Sequence, residues 1–143
     1  MTAEDLDTFH KSLNRCTADE QFLERFYWLF MASSPDVREK FARTNWLRQK
    51  RMLVASFHMM MVAQEHGTEG NEHLHRVAAL HGAHGRDIPE HLYDIWLNCL
   101  LRAVREYDAE YTDEIGDIWT KMMQNGIAFM KRRRNDPIPP TDD

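Results

Sequence analysis

The chain has 143 residues, 43% of them hydrophobic and 29% charged. That length can bury one sizeable core, and that balance excludes a disordered chain. A formal charge of −5 argues against nucleic acid as the main partner, because phosphate binding needs a basic face.

Every periodic segment has helical spacing, and none alternates as a strand would. Leu6, Phe9 and Leu13 predict a short first helix. Thr17 with Glu20 reads as a capping box that opens a second helix through Phe22, Phe26, Tyr27 and Phe30. Ser33 and Ser34 stop it, and Pro35 is placed to start a short helix running to Phe41. A long helix from about Asn45 to His66 follows, closed by Gly67, with a polar loop from Thr68 to Asn71. A shorter helix from Glu72 to Leu80 ends near Gly82 and Gly85. Pro89 starts an apolar helix through Tyr93, Trp96, Leu100 and Val104, and Thr112 opens a last one through Ile115, Trp119, Met123 and Met130. The reading is an all-α domain of about seven to eight helices over residues 1–134. Residues 135–143 read as a disordered tail rich in proline and acid.

Smaller features narrow the choice. The run Lys131 to Arg134 is locally basic, and cations there complement a helix C-terminus. Cys16 and Cys99 form no CxxC pair, which leaves neither a zinc knuckle nor a thioether attachment, and Cys99 reads as a small core residue. No apolar run approaches the roughly 18 residues that span a bilayer. The N-terminus, with Glu4 and Asp5, lacks an apolar signal core, so the expected location is cytoplasmic with no membrane partner.

Tyr27, Pro35, Phe41, Gln49, Leu53, His81, Tyr93 and Trp119 occur in one order and spacing. Gln49 and Leu53, like Val77 and His81, lie four apart and so share a helix face. The ordered set, from about Thr17 to Met130, resembles the bacterial globins: the haem domains of flavohaemoglobins, bacterial single-domain haemoglobins and globin-coupled sensors. The resemblance implies a globin fold, haem b as cofactor and His81 as the axial iron ligand. A neutral imidazole can ligate haem iron and leave one axial position open. His84 is the rival, but it lies beyond Gly82, where the helix should have ended. Phe41 matches the ring that lies flat on the haem. Leu53, Val77, Leu80, Ile88 and Tyr93 match further haem contacts, and Trp119 is expected to fill the core.

Tyr27 and Gln49 match the distal pair. Dioxygen held at ferrous iron draws negative charge, and a phenol and an amide can both donate to it. Each bond in a dry pocket adds about 1–2 kcal/mol. One departure stands out: in flavohaemoglobin-like proteins a tyrosine and a glutamate support the proximal histidine, and Tyr93 matches the tyrosine while the glutamate position falls at Arg134. The histidine N–H is therefore expected to donate to a backbone carbonyl near Val77. A haemerythrin-like diiron site needs paired histidines and carboxylates on facing helices, and His58 and His66 do not supply its pattern.

The implied function is reversible binding of dioxygen, with NO and CO as further ligands, at a five-coordinate ferrous haem. Nitric oxide dioxygenation is the enzymatic extension. No glycine-rich dinucleotide fingerprint is read, so turnover would need an external reductase. The alternative is a haem-based gas sensor signalling through a homodimer of the last two helices, suggested by Trp96, Leu100, Trp119 and Met123. A globin that has lost haem is a third reading, opposed by His81 and Phe41.

Overall fold

Thr2 opens the first helix, α1 (Ala3–Thr17), with a capping box: its hydroxyl accepts from the Asp5 amide and the Asp5 carboxylate accepts from its own N–H. The computed structural model describes residues 1–68 and 71–138. Over these residues it is all helical, with α2 (Gln21–Ser33), α3 (Pro35–Lys40), α4 (Trp46–His66), α5 (Glu72–His81), α6 (Glu90–Tyr107) and α7 (Asp113–Arg132). The α1 helix is longer than the short helix expected, and the Thr17–Glu20 capping box is not formed. Thr17 is the last residue of α1, and its hydroxyl donates back to the Leu13 carbonyl at 2.8 Å. Glu20 makes no cap bond; Asp19 accepts from the Gln21 amide at 2.8 Å instead. A hydroxyl still inside a helix finds the carbonyl four residues back before it can reach forward.

The other boundaries follow local chemistry. Ser34 caps α3, with Pro35 in its first turn; Asn45 caps α4, Asn71 caps α5 and Thr112 caps α7. Gly67, at φ +79°, ends α4. Pro89 precedes α6 and brings no N–H that a partner would have to satisfy. The loop expected over Thr68–Asn71 lies partly outside the described residues, as do residues 139–143 of the expected tail.

α2 packs most extensively on α6, while α7 packs against α1, α5 and α6. Trp119 is fully buried, its ring 4.6 Å from Phe9 and 5.6 Å from Phe57 between centroids. Its indole N–H donates to Ser12 Oγ at 2.8 Å, and Ser12 donates to Asp108 at 2.6 Å. Asp108, 3% exposed, also accepts from Arg15 and from the Glu110 amide. Burial would raise the Asp108 carboxyl, but the bonds from Arg15 and Ser12 outweigh it and hold it below the ordinary value. Three helices are tied together by this polar chain. Burial likewise pushes the Cys16 thiol up to about 12, and partly buried Cys99 packs against the core. Among the described residues no helix is long and apolar enough to cross a membrane.

Candidate functional site

The helices leave between them a cavity of about 400 Å³, within the range of cofactor pockets. Val77, Leu80 and His81 reach it from α5, Ile88 from the following loop and Tyr93 from α6; Leu53 and Gln49 come from α4, Tyr27 from α2 and Phe41 from the end of α3. Every site residue expected from the sequence therefore lines one cavity. Trp119, expected in the core, is there and is absent from the lining.

His81 is the last residue of α5. Its Nδ1 lies 2.7 Å from the Val77 carbonyl oxygen. A carbonyl can only accept, so Nδ1 carries the hydrogen and Nε2 keeps its lone pair. Burial pushes the imidazole pKa down, against the Val77 bond that raises it, which favours the neutral ring. That is the protonation state of a metal ligand. The expected backbone partner is thus the observed one, and no carboxylate takes its place. His84, the rival, is exposed. Among the described residues no cluster of three or more His, Cys, Asp or Glu side chains could hold a metal ion without a cofactor.

Elsewhere in the lining, Gln49 donates from Nε2 to the Tyr27 hydroxyl at 3.2 Å. The phenol oxygen accepts that bond, so its own hydrogen is free to donate elsewhere. Tyr27 is 5% exposed, and burial raises its pKa against the lowering effect of Gln49, so it stays a neutral donor. Its ring packs edge-on against Phe41 and Trp46, with centroids 5.9 and 5.1 Å apart. Phe41 and Trp46 are themselves stacked, 5.4 Å apart. This aromatic wall fixes the phenol through its ring and leaves only the hydroxyl to rotate.

The sequence reading missed Trp46 and the basic residues of the cavity lining. Lys40, Arg43, Arg48 and Arg86 all line it. Lys40 donates to the Arg86 carbonyl at 2.7 Å, and Arg86 donates to the Lys40 carbonyl at 3.1 Å. In sequence these cations look like ordinary surface charge, because they come from four separate segments, α3, the turn after it, α4 and the loop before α6. The expected role of the Lys131–Arg134 run at a helix end is met by Lys131 and Arg132 in the last turn of α7. Arg133 stacks on Phe129, and Arg134 turns back to Asp87.

Seven helices among the described residues around a largely apolar cavity, with one neutral histidine and a phenol–amide donor pair in its lining, have the architecture of a globin. A crystal structure from Pseudomonas aeruginosa PAO1, described as structurally highly homologous to a human hemoglobin, superposes on this chain with a TM-score of 0.84 and 35% sequence identity. The match covers 91% of this chain and 98% of that one. The chain belongs to the globin family, alongside bacterial single-domain globins. No family model matches the chain, and no curated protein matches it.

The residues present fit the cofactor that this fold implies. The cavity has apolar side chains of Leu53, Val77, Leu80 and Ile88 for a porphyrin face, a neutral imidazole for its iron and cations in its lining for its carboxylates.

Proposed function

We propose that this globin binds haem b through His81 and reversibly binds dioxygen, with NO and CO as competing ligands. The observation that carries the reading is the Nδ1–Val77 hydrogen bond of His81, which leaves Nε2 free in a cavity that also holds the Tyr27–Gln49 pair. Haem supplies a ferrous iron to which a diatomic gas can bind. The chain would supply the imidazole base, the apolar walls and the hydrogen-bond donors. Phe41, Leu53, Val77, Leu80, Ile88 and Tyr93 hold the ring, and Lys40, Arg43, Arg48 and Arg86 take its propionates. Nitric oxide dioxygenation is a natural extension, with an external reductase returning the iron to the ferrous state.

The test is a visible spectrum of the haem-reconstituted protein, oxidised, reduced and with carbon monoxide. One haem per chain, with a five-coordinate reduced form that takes up carbon monoxide, is the expected result. Failure to take up haem would overturn the reading.

The donor pair makes a sharper prediction. Dioxygen as a ligand is polar and accepts hydrogen bonds strongly, whereas carbon monoxide accepts them poorly. Tyr27→Phe keeps the ring against Phe41 and Trp46 but removes the hydroxyl. If that bond contributes about 1.4 kcal/mol, dioxygen dissociation quickens about tenfold while carbon monoxide dissociation hardly moves. Gln49→Leu acts in the same direction but less, because Gln49 donates to the phenol oxygen and steers its hydroxyl. Stopped-flow release rates for both gases decide it; equal changes for the two would indicate a steric gate instead.

The sensor reading draws less support. Leu100, Trp119 and Met123 are fully buried, and Trp96 lines the cavity and packs edge-on against Phe26. The side chains that suggested a dimer through α6 and α7 are used inside one chain. Sedimentation at micromolar concentration checks this, with a monomer as the expected species.

A further inference from the structure

We infer that Arg134, just beyond the end of α7, is a positioning residue for His81. It acts by pinning the loop 82–88, which leaves His81 and leads into α6. The inference rests on the haem reading for its functional meaning, while the pinning itself is independent of haem.

The loop begins at Gly82, the residue after His81. A Cβ at Gly82 would collide with the backbone carbonyl oxygen of Arg134, whose carbonyl carbon would lie 3.0 Å away. Glycine thus lets the chain after α7 lie directly on the end of α5. The next residue uses that approach, for the Ala83 N–H donates to the same Arg134 carbonyl at 2.8 Å. The guanidinium then reaches the far end of the loop. It pairs with the Asp87 carboxylate and donates to the Ile88 carbonyl at 3.4 Å. One residue therefore holds both ends of the loop, by its main chain at one and by its side chain at the other.

The loop transmits that hold to the histidine. Arg86 N–H donates to the Leu80 carbonyl at 2.8 Å, and Ile88 N–H donates to the carbonyl of His81 itself at 2.9 Å. Asp87, with φ +51°, sits in the left-handed region between these two bonds, a conformation that costs energy unless its surroundings hold it. The Asp87 N–H donates to the Gly82 carbonyl at 2.9 Å, and the Arg134 guanidinium holds its carboxylate. A gap of only about 10 Å³ has His81, Tyr93, Ile88 and Arg134 all in its lining, so the arginine and the histidine border the same small space.

The pair itself is a weak source of global stability. The Arg134 and Asp87 side chains are 42% and 57% exposed, and exposed pairs contribute little. Loss of the side chain should loosen the loop while the core stays intact. This separates a positioning role from a general structural one.

The experiment compares Arg134→Gln, Arg134→Lys and the control Arg132→Gln with the parent. Hydrogen exchange is read first, on the protein as purified. The Ala83, Arg86 and Ile88 amides of Arg134→Gln should exchange about five- to tenfold faster, the scale of one lost hydrogen bond, with α1 and α2 unchanged. In the haem-loaded ferrous protein, the iron–histidine stretching band should shift or broaden, and haem transfer to an acceptor globin should quicken. Arg134→Lys should restore part of each effect, and Arg132→Gln should produce none. Parental exchange at those amides in Arg134→Gln would overturn the inference. So would a loosened loop with an unchanged iron–histidine band and haem transfer rate. If the parent takes up no haem, the proposed function fails, and the exchange data still decide whether Arg134 pins the loop.

Discussion

His81→Ala is expected to remove the axial ligand and lower haem retention sharply while the seven helices persist. The ring makes one hydrogen bond, to the Val77 carbonyl, and its remaining face borders an open cavity. It is the last residue of α5, so its loss opens space at the end of that helix without interrupting it. A free imidazole added to the variant should enter the space vacated and restore the ligated spectrum, because the walls that shaped it remain. His84→Ala serves as the control: His84 is exposed beyond Gly82, so its loss should leave the ferrous–carbonyl spectrum as it was. Haem retention and that spectrum, measured on both variants with helicity by circular dichroism, check the result. Normal ligation in His81→Ala would transfer the role to another residue.

The largest expected change in stability comes from Asp108→Ala. The variant would strip Ser12 of its acceptor and leave the Arg15 guanidinium with only the exposed Glu110 carboxylate, 3.4 Å away. Breaking a buried pair from one side costs about 3–5 kcal/mol. The Arg15 side chain keeps 27% of its surface exposed and can recover some hydration, so the lower end, about 3 kcal/mol, is expected. Urea unfolding of the two proteins measures it. The same carboxyl makes a pH prediction. Its folded pKa lies below the ordinary 3.8, so the unfolded chain binds the proton first. The contribution is fully present above about pH 4, and is lost as pH falls through the folded value. The Asp108→Ala variant should lose this part of the acid dependence. An unchanged acid limb would show that other carboxylates carry it.

Much of this globin could be read from local chemistry. Caps and breakers act within a few residues, which is why Ser34 with Pro35, Asn45, Gly67, Asn71, Pro89 and Thr112 stand where the helices begin and end. The cavity-lining set was readable for a related reason. Gln49 with Leu53 and Val77 with His81 are each one helical turn apart, so each pair has to share a face whatever the tertiary packing. Even the partner of His81 Nδ1 was accessible, since the Val77 carbonyl lies four residues back on the same helix.

The rest depends on residues that sequence separation hides. Asp108 meets Ser12 and Arg15 across more than 90 positions, and no periodicity marks such a meeting. Trp96, Leu100, Trp119 and Met123 have the same pattern whether they face a core or a partner subunit, and only packing assigned them inward. Thr17 and Glu20 have the spacing of a capping box, yet α1 ran on to Thr17 because its apolar face, Phe9, Leu13 and Cys16, is buried in the core. Arg134 reads as one more cation at a helix end until the chain folds it against Gly82 and Asp87. Sequence by itself determined the helices and the faces they present, because those follow from interactions within a turn or two. The tertiary structure alone decided which faces meet and which charges are taken from water, because these depend on contacts whose energies exist only once distant segments have come together.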